Sequence, residues 1–320
     1  MKSIQIIAAE SLGVRGLCCA VTAGSRRIVI DPGLALGFYR HGLHPHPAQV
    51  AVGERVRRSI VKLLDGATDV VYSHFHGDHV PLKDANPFQL SFDALPERFP
   101  ALRSWSKNGE ESHPEMQRRF LDLRELTHDG LRVVEGSTEG PLSFSAPVPH
   151  GEDGSHLGTV MMTRVESDDG VFVHASDIQL LNTEAVEQVV DWRPDIVIAA
   201  GPPLYLTSLG EKAREAARRN TLRLAENVKT LVIDHHVMRS EAGARWLQEL
   251  ALDAPCAVRS AADYMERTPL LLEARRRELY EAVPVPEGWM DDYTRGKAQA
   301  EPFLKTAIER GAIPPIGTER

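Results

Sequence analysis

Short apolar runs closed by turn residues open the chain. Ile4 to Ala8, Leu17 to Thr22 and Arg27 to Ile30 each read as a strand, and the third ends at the turn signal Asp31-Pro32-Gly33. The rhythm then changes. Val56, Ile60, Leu63 and Leu64 recur at helical spacing, which predicts an amphipathic helix over Glu54 to Leu64, and Asp69 to Tyr72 follows as a buried strand. From Val80 to about residue 140 the pattern dissolves among Pro81, Pro87, Pro96, Pro100 and Pro114. The expectation there is an insertion lying over the strand ends, with one helix around Pro114 to Leu126. Alternation resumes at Leu142 to Val148, Thr159 to Val165, Val171 to Ala175 and Ile196 to Ala200, the first three forming a meander. Ser208 with Glu211 forms a capping-box pattern for a helix from about Leu209 to Asn227, and Thr230 to Ile233 is the next strand. Thr268-Pro269 announces a helix to about Glu281, and a proline-rich, charged tail follows.

Composition narrows what such a pattern can build. In 320 residues, 42% apolar and 26% charged positions supply a sizeable core, so a largely disordered chain is excluded. The formal charge of -8 speaks against broad binding to nucleic acid or anionic membranes, leaving room only for a local basic patch. No apolar run approaches the roughly eighteen residues of a membrane span, and the start lacks a signal peptide, so a cytoplasmic protein is expected. Cys18, Cys19 and Cys256 match neither a disulfide framework nor a paired-cysteine zinc site.

Candidate chemistry concentrates just after the strand Asp69 to Tyr72. His74-Phe75-His76-Gly77-Asp78-His79 packs three histidines and an aspartate into six residues. On extended backbone His74 and His76 point the same way and can grip one ion. Gly77 lets the chain turn, so that Asp78 and His79 aim at a second ion close by. Imidazole and carboxylate suit zinc, and also iron or manganese. Four ligands do not complete two sites, so further donors must come from elsewhere. His150, Asp177 and the pair His235-His236 each follow a predicted strand, as expected if these loops crowd one edge of a sheet sandwich.

These residues resemble the metallo-β-lactamase superfamily of dinuclear hydrolases. The likeness rests on Ile30-Asp31-Pro32-Gly33, on His74 through His79, and on His150, Asp177 and His235 in that order, covering about residues 4 to 240. Glu10 to Arg15, Asp31 to Gly37, Gly201 to Leu206 and Leu271 to Arg276 further resemble one subfamily best known from archaea. The resemblance implies an α/β fold, a four-layer αββα sandwich, with a helical insertion at about 80–140. Residues 1–255 would form that domain, and 256–320 a C-terminal helical extension packed on it. It also implies His74, His76 and His150 at a first ion, Asp78, His79 and His235 at a second, Asp177 bridging, and Asp31 supporting the loops.

Two divalent ions about 4 Å apart share a water and lower its pKa, so a bridging hydroxide would attack a small, anionic substrate, a phosphodiester or an ester, thioester or lactone. Asp78 could orient that hydroxide, while His236 or Tyr205 could stabilise charge or donate a proton. Arg15, Arg40, His41, His44 and His46 lie on early loops expected at the site mouth, as an anion pocket, a further metal site or a solvated loop. Two other classes stay open: an iron-dependent redox enzyme on the same fold, and a non-catalytic metal-binding sensor.

Overall fold

A computed structural model describes residues 3–110, 113–152, 154 and 157–316. In chain order the strands are β1 (Ile4–Ile6), β2 (Cys19–Ala23), β3 (Arg26–Ile30), β4 (Asp69–Tyr72), β5 (Arg103–Ser106), β6 (Leu131–Val133), β7 (Thr138–Glu139), β8 (Leu142–Phe144), β9 (Val148–Pro149), β10 (Thr159–Val160), β11 (Thr163–Ser167), β12 (Gly170–His174), β13 (Ile196–Ala199), β14 (Thr230–Ile233) and β15 (Ala257–Arg259). The helices are α1 (Pro47–Gly66), α2 (Pro114–Leu126), α3 (Thr183–Asp191), α4 (Glu211–Ala225), α5 (Glu241–Asp253), α6 (Ala261–Tyr264), α7 (Arg276–Ala282), α8 (Trp289–Thr294) and α9 (Glu301–Glu309).

The strands form a six-stranded sheet ordered β1-β2-β3-β4-β5-β6, a seven-stranded sheet ordered β15-β14-β13-β12-β11-β8-β7, and a β9–β10 ribbon. Both large sheets share a plan. One half is antiparallel (β1-β2-β3 and β7-β8-β11-β12) and the other parallel (β3-β4-β5-β6 and β12-β13-β14-β15). In the parallel halves, strand after strand ends at the same edge of the sheet.

Strand alternation assigns each side chain to a core. Ile28, Ile30 and Val71 of one sheet meet Phe172, Ile198 and Val232 of the other in a shared apolar cluster. The intervening Val29, Val70 and Tyr72 turn outward onto α1 and the C-terminal helices, with Ile60, Leu64, Leu304 and Ala307. On the second sheet Val173, Val197, Leu231 and Ile233 pack against Val186, Leu224 and Leu247 of α3, α4 and α5. Each such side chain taken from water contributes about 1.5–3 kcal/mol before the entropy of ordering is subtracted.

Several elements depart from the sequence expectation. Residues 80–140 are not solely an insertion, because β5 and β6 extend the first sheet by parallel pairing, Val71 opposite Trp105 and Ser104 opposite Leu131. The helix over Pro114 to Leu126 is present as α2. α1 begins at Pro47, well before Glu54, with His46 as its N-cap. α4 starts at Glu211 with Gly210 at the cap, so Glu211 sits too early to complete a capping box with Ser208. The helix expected from Thr268 begins only at Arg276, since Leu270 instead pairs with the first loop, its N–H donating to Ser11 O at 2.7 Å. The supposed tail carries α8 and α9.

Candidate metal centre

The donors follow strand ends: His74 to His79 come after β4, His150 after β9, Asp177 after β12 and His235-His236 after β14. Just after β3, β12 and β14 the chain turns through left-handed residues, Asp31 (φ 50), Ser176 (φ 56) and His235 (φ 53). Non-glycine residues rarely adopt that region, and such strain gathers where a site fixes its side chains. Glycines close the remaining space. A Cβ on Gly33 would lie 2.3 Å from Val80 N, and one on Gly16 would lie 2.8 Å from Asp78 O, so these backbones press directly on the histidine loop.

The donors form overlapping sets whose ligand atoms lie within 4.8 Å of one another: His74, His76, His150 and Asp177, then Asp78, His79 and His235, then Asp177, His235 and His236. In the first set His74 Nε2 is 2.9 Å from His76 Nδ1, and His150 Nε2 is 3.3 Å from Asp177 Oδ2. In the second, His235 Nε2 is 3.5 Å from Asp78 Oδ2. Asp177 joins them, with Oδ1 3.2 Å from His79 Nε2 and Oδ2 3.4 Å from both His235 Nε2 and His236 Nε2. Asp31 lies equally close to His74 and His79, but its carboxylate is already engaged: it accepts from Ser73 N at 2.8 Å, Ser73 Oγ at 2.6 Å and His79 Nδ1 at 2.9 Å.

A divalent ion fits this arrangement. His79 Nε2, His150 Nε2 and Asp177 Oδ1 are buried without a well-aligned hydrogen-bond partner, although each has a polar neighbour 3.2 or 3.3 Å away. Atoms that close but misaligned aim at a common point, and buried polar groups left so are otherwise costly. Outer contacts set the rings. Asp31 accepts from His79 Nδ1 and Ser73 Oγ lies 2.9 Å from His74 Nδ1, which turns Nε2 of each ring inward. Burial, then neighbouring histidines, hold His74 well below the usual imidazole range and bring His76 down to about 4, so both rings are neutral, as ligation requires. His235 and His236 are lowered as well, again first by burial. Burial would raise Asp177, but His79, His235 and His236 outweigh it and hold that carboxyl well below its ordinary value.

Outside these sets the sequence candidates separate. Arg15 is locked bidentate on Glu273, with bonds of 2.7 and 2.6 Å, and Arg40 lies over the Tyr205 ring and donates to Arg239 O. Tyr205, half-buried, receives Arg239 Nη1 at 3.3 Å. His41 is exposed, and His44 Nε2 lies 2.9 Å from Tyr39 Oη. His46 is the correction. It is fully buried, its Nδ1 accepts from Ala48 N and its Nε2 donates to Val283 O, so it caps α1 and faces no substrate. Three residues next to the donors were not anticipated: Arg239, whose Nη2 is 3.5 Å from Asp78 Oδ2; Glu10, 3.4 Å from Arg239 Nε; and Gln179, whose amide lies 3.5 and 3.4 Å from Nδ1 of His150 and His236. For Arg239, the four-residue spacing from His235 was the available signal.

Two face-packed sheets with helices outside, and a His-x-His-x-Asp-His loop meeting His150, Asp177 and His235 at one edge, are the arrangement that the sequence resemblance to the metallo-β-lactamase superfamily implies. No family model matches the chain. Relatives include UPF0282 proteins of Methanosarcina mazei, 47% identical over 94% of this chain and 99% of the relative, Pyrococcus abyssi, 36% identical over 90% and 97%, and Thermococcus onnurineus, 34% identical over 86% and 93%. The chain belongs to the UPF0282 family. Among solved structures, a metal-dependent hydrolase of the β-lactamase superfamily superposes with a TM-score of 0.46 at 12% identity, covering 83% of this chain and 96% of that one. A dizinc quorum-quenching lactonase gives 0.35 at 14%, covering 59% and 73%. No helix among the described residues is long and apolar enough to cross a membrane.

Proposed function

We propose that this protein is a metal-dependent hydrolase of a small anionic substrate, with His74, His76 and His150 at a first ion, Asp78, His79 and His235 at a second, and Asp177 between them. The observation that carries this reading is the buried, unpartnered trio His79 Nε2, His150 Nε2 and Asp177 Oδ1 at the meeting point of the donor sets. Zinc is the ion we favour, with iron and manganese as the chemical alternatives. When bound, two such ions acidify water to a nucleophile near neutral pH and polarise the electrophile it attacks.

The chain's own groups do the rest. Asp78, half-buried, orients the attacking water through its carboxylate, which Arg239 and His235 neighbour. As the water oxygen bonds to phosphorus or carbon and the leaving-group bond breaks, a proton must reach the leaving oxygen or sulfur. Tyr205 and His236 are the donors we assign, the first on Arg239 and the second beside Asp177. Arg15, Arg40, Arg239 and Arg276 set four guanidinium groups against two carboxylates, Glu10 and Glu273, and support an anionic substrate. Burial, then Glu273, pushes Glu10 up to about 8, which leaves that cluster more cationic near neutrality. Residues 256–320 we take as an extension of the same unit.

Elemental analysis of the purified protein, followed by a screen of phosphodiesters, esters, thioesters and lactones with that metal restored, tests the reading. Turnover is expected, with His76→Ala lowering it at least about a hundredfold. Metal-free protein, or iron with a visible chromophore and no hydrolysis, overturns it.

A further inference from the structure

The two donor sets are not equivalent. His74 and His79 are held at Nδ1 by Ser73 and Asp31 and turn Nε2 inward. His150 and His236 share the Gln179 side chain, whose Nε2 stands 3.5 and 3.4 Å from their Nδ1 atoms and whose amide, with O and N exchanged, accepts from both Nδ1–H groups instead. His235 has no such freedom. Its Nδ1 accepts the backbone N–H of Gly16 at 3.1 Å, and a backbone donor cannot be reversed. A neutral ring accepting at Nδ1 carries its proton on Nε2, the nitrogen that faces Asp177 Oδ2 and Asp78 Oδ2. That nitrogen is then a donor with two acceptors in reach.

A permanent cation sits on the same residues. Arg239 Nη2 lies 2.8 Å from His235 Nε2 and 3.3 Å from its Nδ1. Near both nitrogens at once, it covers the ring face and lies off either lone-pair axis. The same nitrogen approaches Asp78 Oδ2 at 3.5 Å. The guanidinium is buried and anchored on Glu10 and Tyr205, so the charge cannot swing away freely. Nothing comparable touches His74, His76 or His150 among the described residues.

Building on the metal-dependent reading above, we propose that Arg239 is the resident cation of the Asp78–His79–His235 set, so that the protein binds divalent ions unequally. One ion is held tightly by His74, His76, His150 and Asp177. A second binds weakly, because the Arg239 guanidinium already lies against His235 and Asp78 and opposes its charge.

Titration of metal-stripped full-length protein with zinc alone, in competition with a chromophoric chelator, reads each affinity, and elemental analysis after dialysis reads what is retained. The wild type is expected to retain one ion and to bind the second at least about tenfold more weakly. Arg239→Met should narrow that gap and retain two. Arg239→Lys, which keeps the charge, should behave as the wild type and covers the case in which the methionine variant does not fold. His235→Ala should keep the tight ion and His150→Ala should lose it. Two ions of equal affinity in the wild type, an unchanged gap in folded Arg239→Met, or loss of the tight ion in His235→Ala overturns the proposal. The first of those leaves the hydrolase reading standing, whereas a wild type that binds no zinc overturns both.

Discussion

Asp31 shows how much work a single residue outside the donor sets performs. Its carboxylate accepts three hydrogen bonds and fixes both the loop, through Ser73, and the His79 ring. Asp31→Asn keeps the shape but turns one acceptor into a donor that must face Ser73 or His79. Leaving a buried donor unsatisfied costs about 1–3 kcal/mol, and loosening a ligand's support weakens metal affinity about 10–100-fold. Both losses are expected, read by urea midpoint and by chelator competition; unchanged affinity would refute the supporting role. At this scale the sequence was legible where donors are dense, as in His74 to His79, or follow a strand, as Asp177 does. Arg239, Gln179 and Glu10 were not, because each is an isolated polar residue whose partners lie far away in the chain. Adjacency also misled: His235 and His236 have the same local surroundings in sequence, and only the Gly16 N–H and Gln179 distinguish them.

Among the elements, β4 is held at its start by Asp69. The side chain is fully buried, pairs with Arg26, and accepts from Arg103 at 2.9 Å and Trp105 Nε1 at 2.9 Å, tying β3, β4 and β5 together. Burial would raise this carboxyl, but the bonds from Arg26, Thr68 and Trp105 win and lower it. A depressed carboxyl contributes stability that is fully present above the ordinary aspartate value of about 4 and lost as pH falls through the folded value. Asp69→Asn should therefore cost about 3–5 kcal/mol near neutral pH. It should also flatten the acid limb of a urea-midpoint series, and an equally steep limb in the variant would count against this role. Strands with a clean apolar face, β3, β4 and β14, could be found from sequence almost to the residue. β5 escaped because its sequence is Arg-Ser-Trp-Ser, with Ser104 and Ser106 buried inside the sheet, so pairing carries it where apolar pattern cannot. α9 hid in a charged stretch, since the two residues it buries, Leu304 and Ala307, make a narrow stripe that matters only against α1.

For the whole molecule, the site is where the two sheets are joined at one edge. His74 to His79 follow β4 of the first sheet, while Asp177 and His235-His236 follow β12 and β14 of the second. An ion among them ties both sheets together, and anything bound only by the native state stabilises it by mass action, about 2.7 kcal/mol at a hundredfold excess over the dissociation constant. Chelation should lower the melting temperature, and restoring the metal should recover it; an unchanged melting temperature would mean the ion bears on neither sheet. The layered architecture was legible because the donors recur at strand ends, but the way residues 270–316 fold back onto α1 and the first loop was not, since those contacts span most of the chain. One detail of this edge bears on engineering. Gly16 and Gly33 bring two other loops against the histidine loop backbone to backbone, with no side chain between them to absorb a change. Transplanting residues 74–80 alone into another scaffold would therefore fail to reproduce the donor positions, and the portable unit is three segments moved together: 13–16, 31–34 and 74–80.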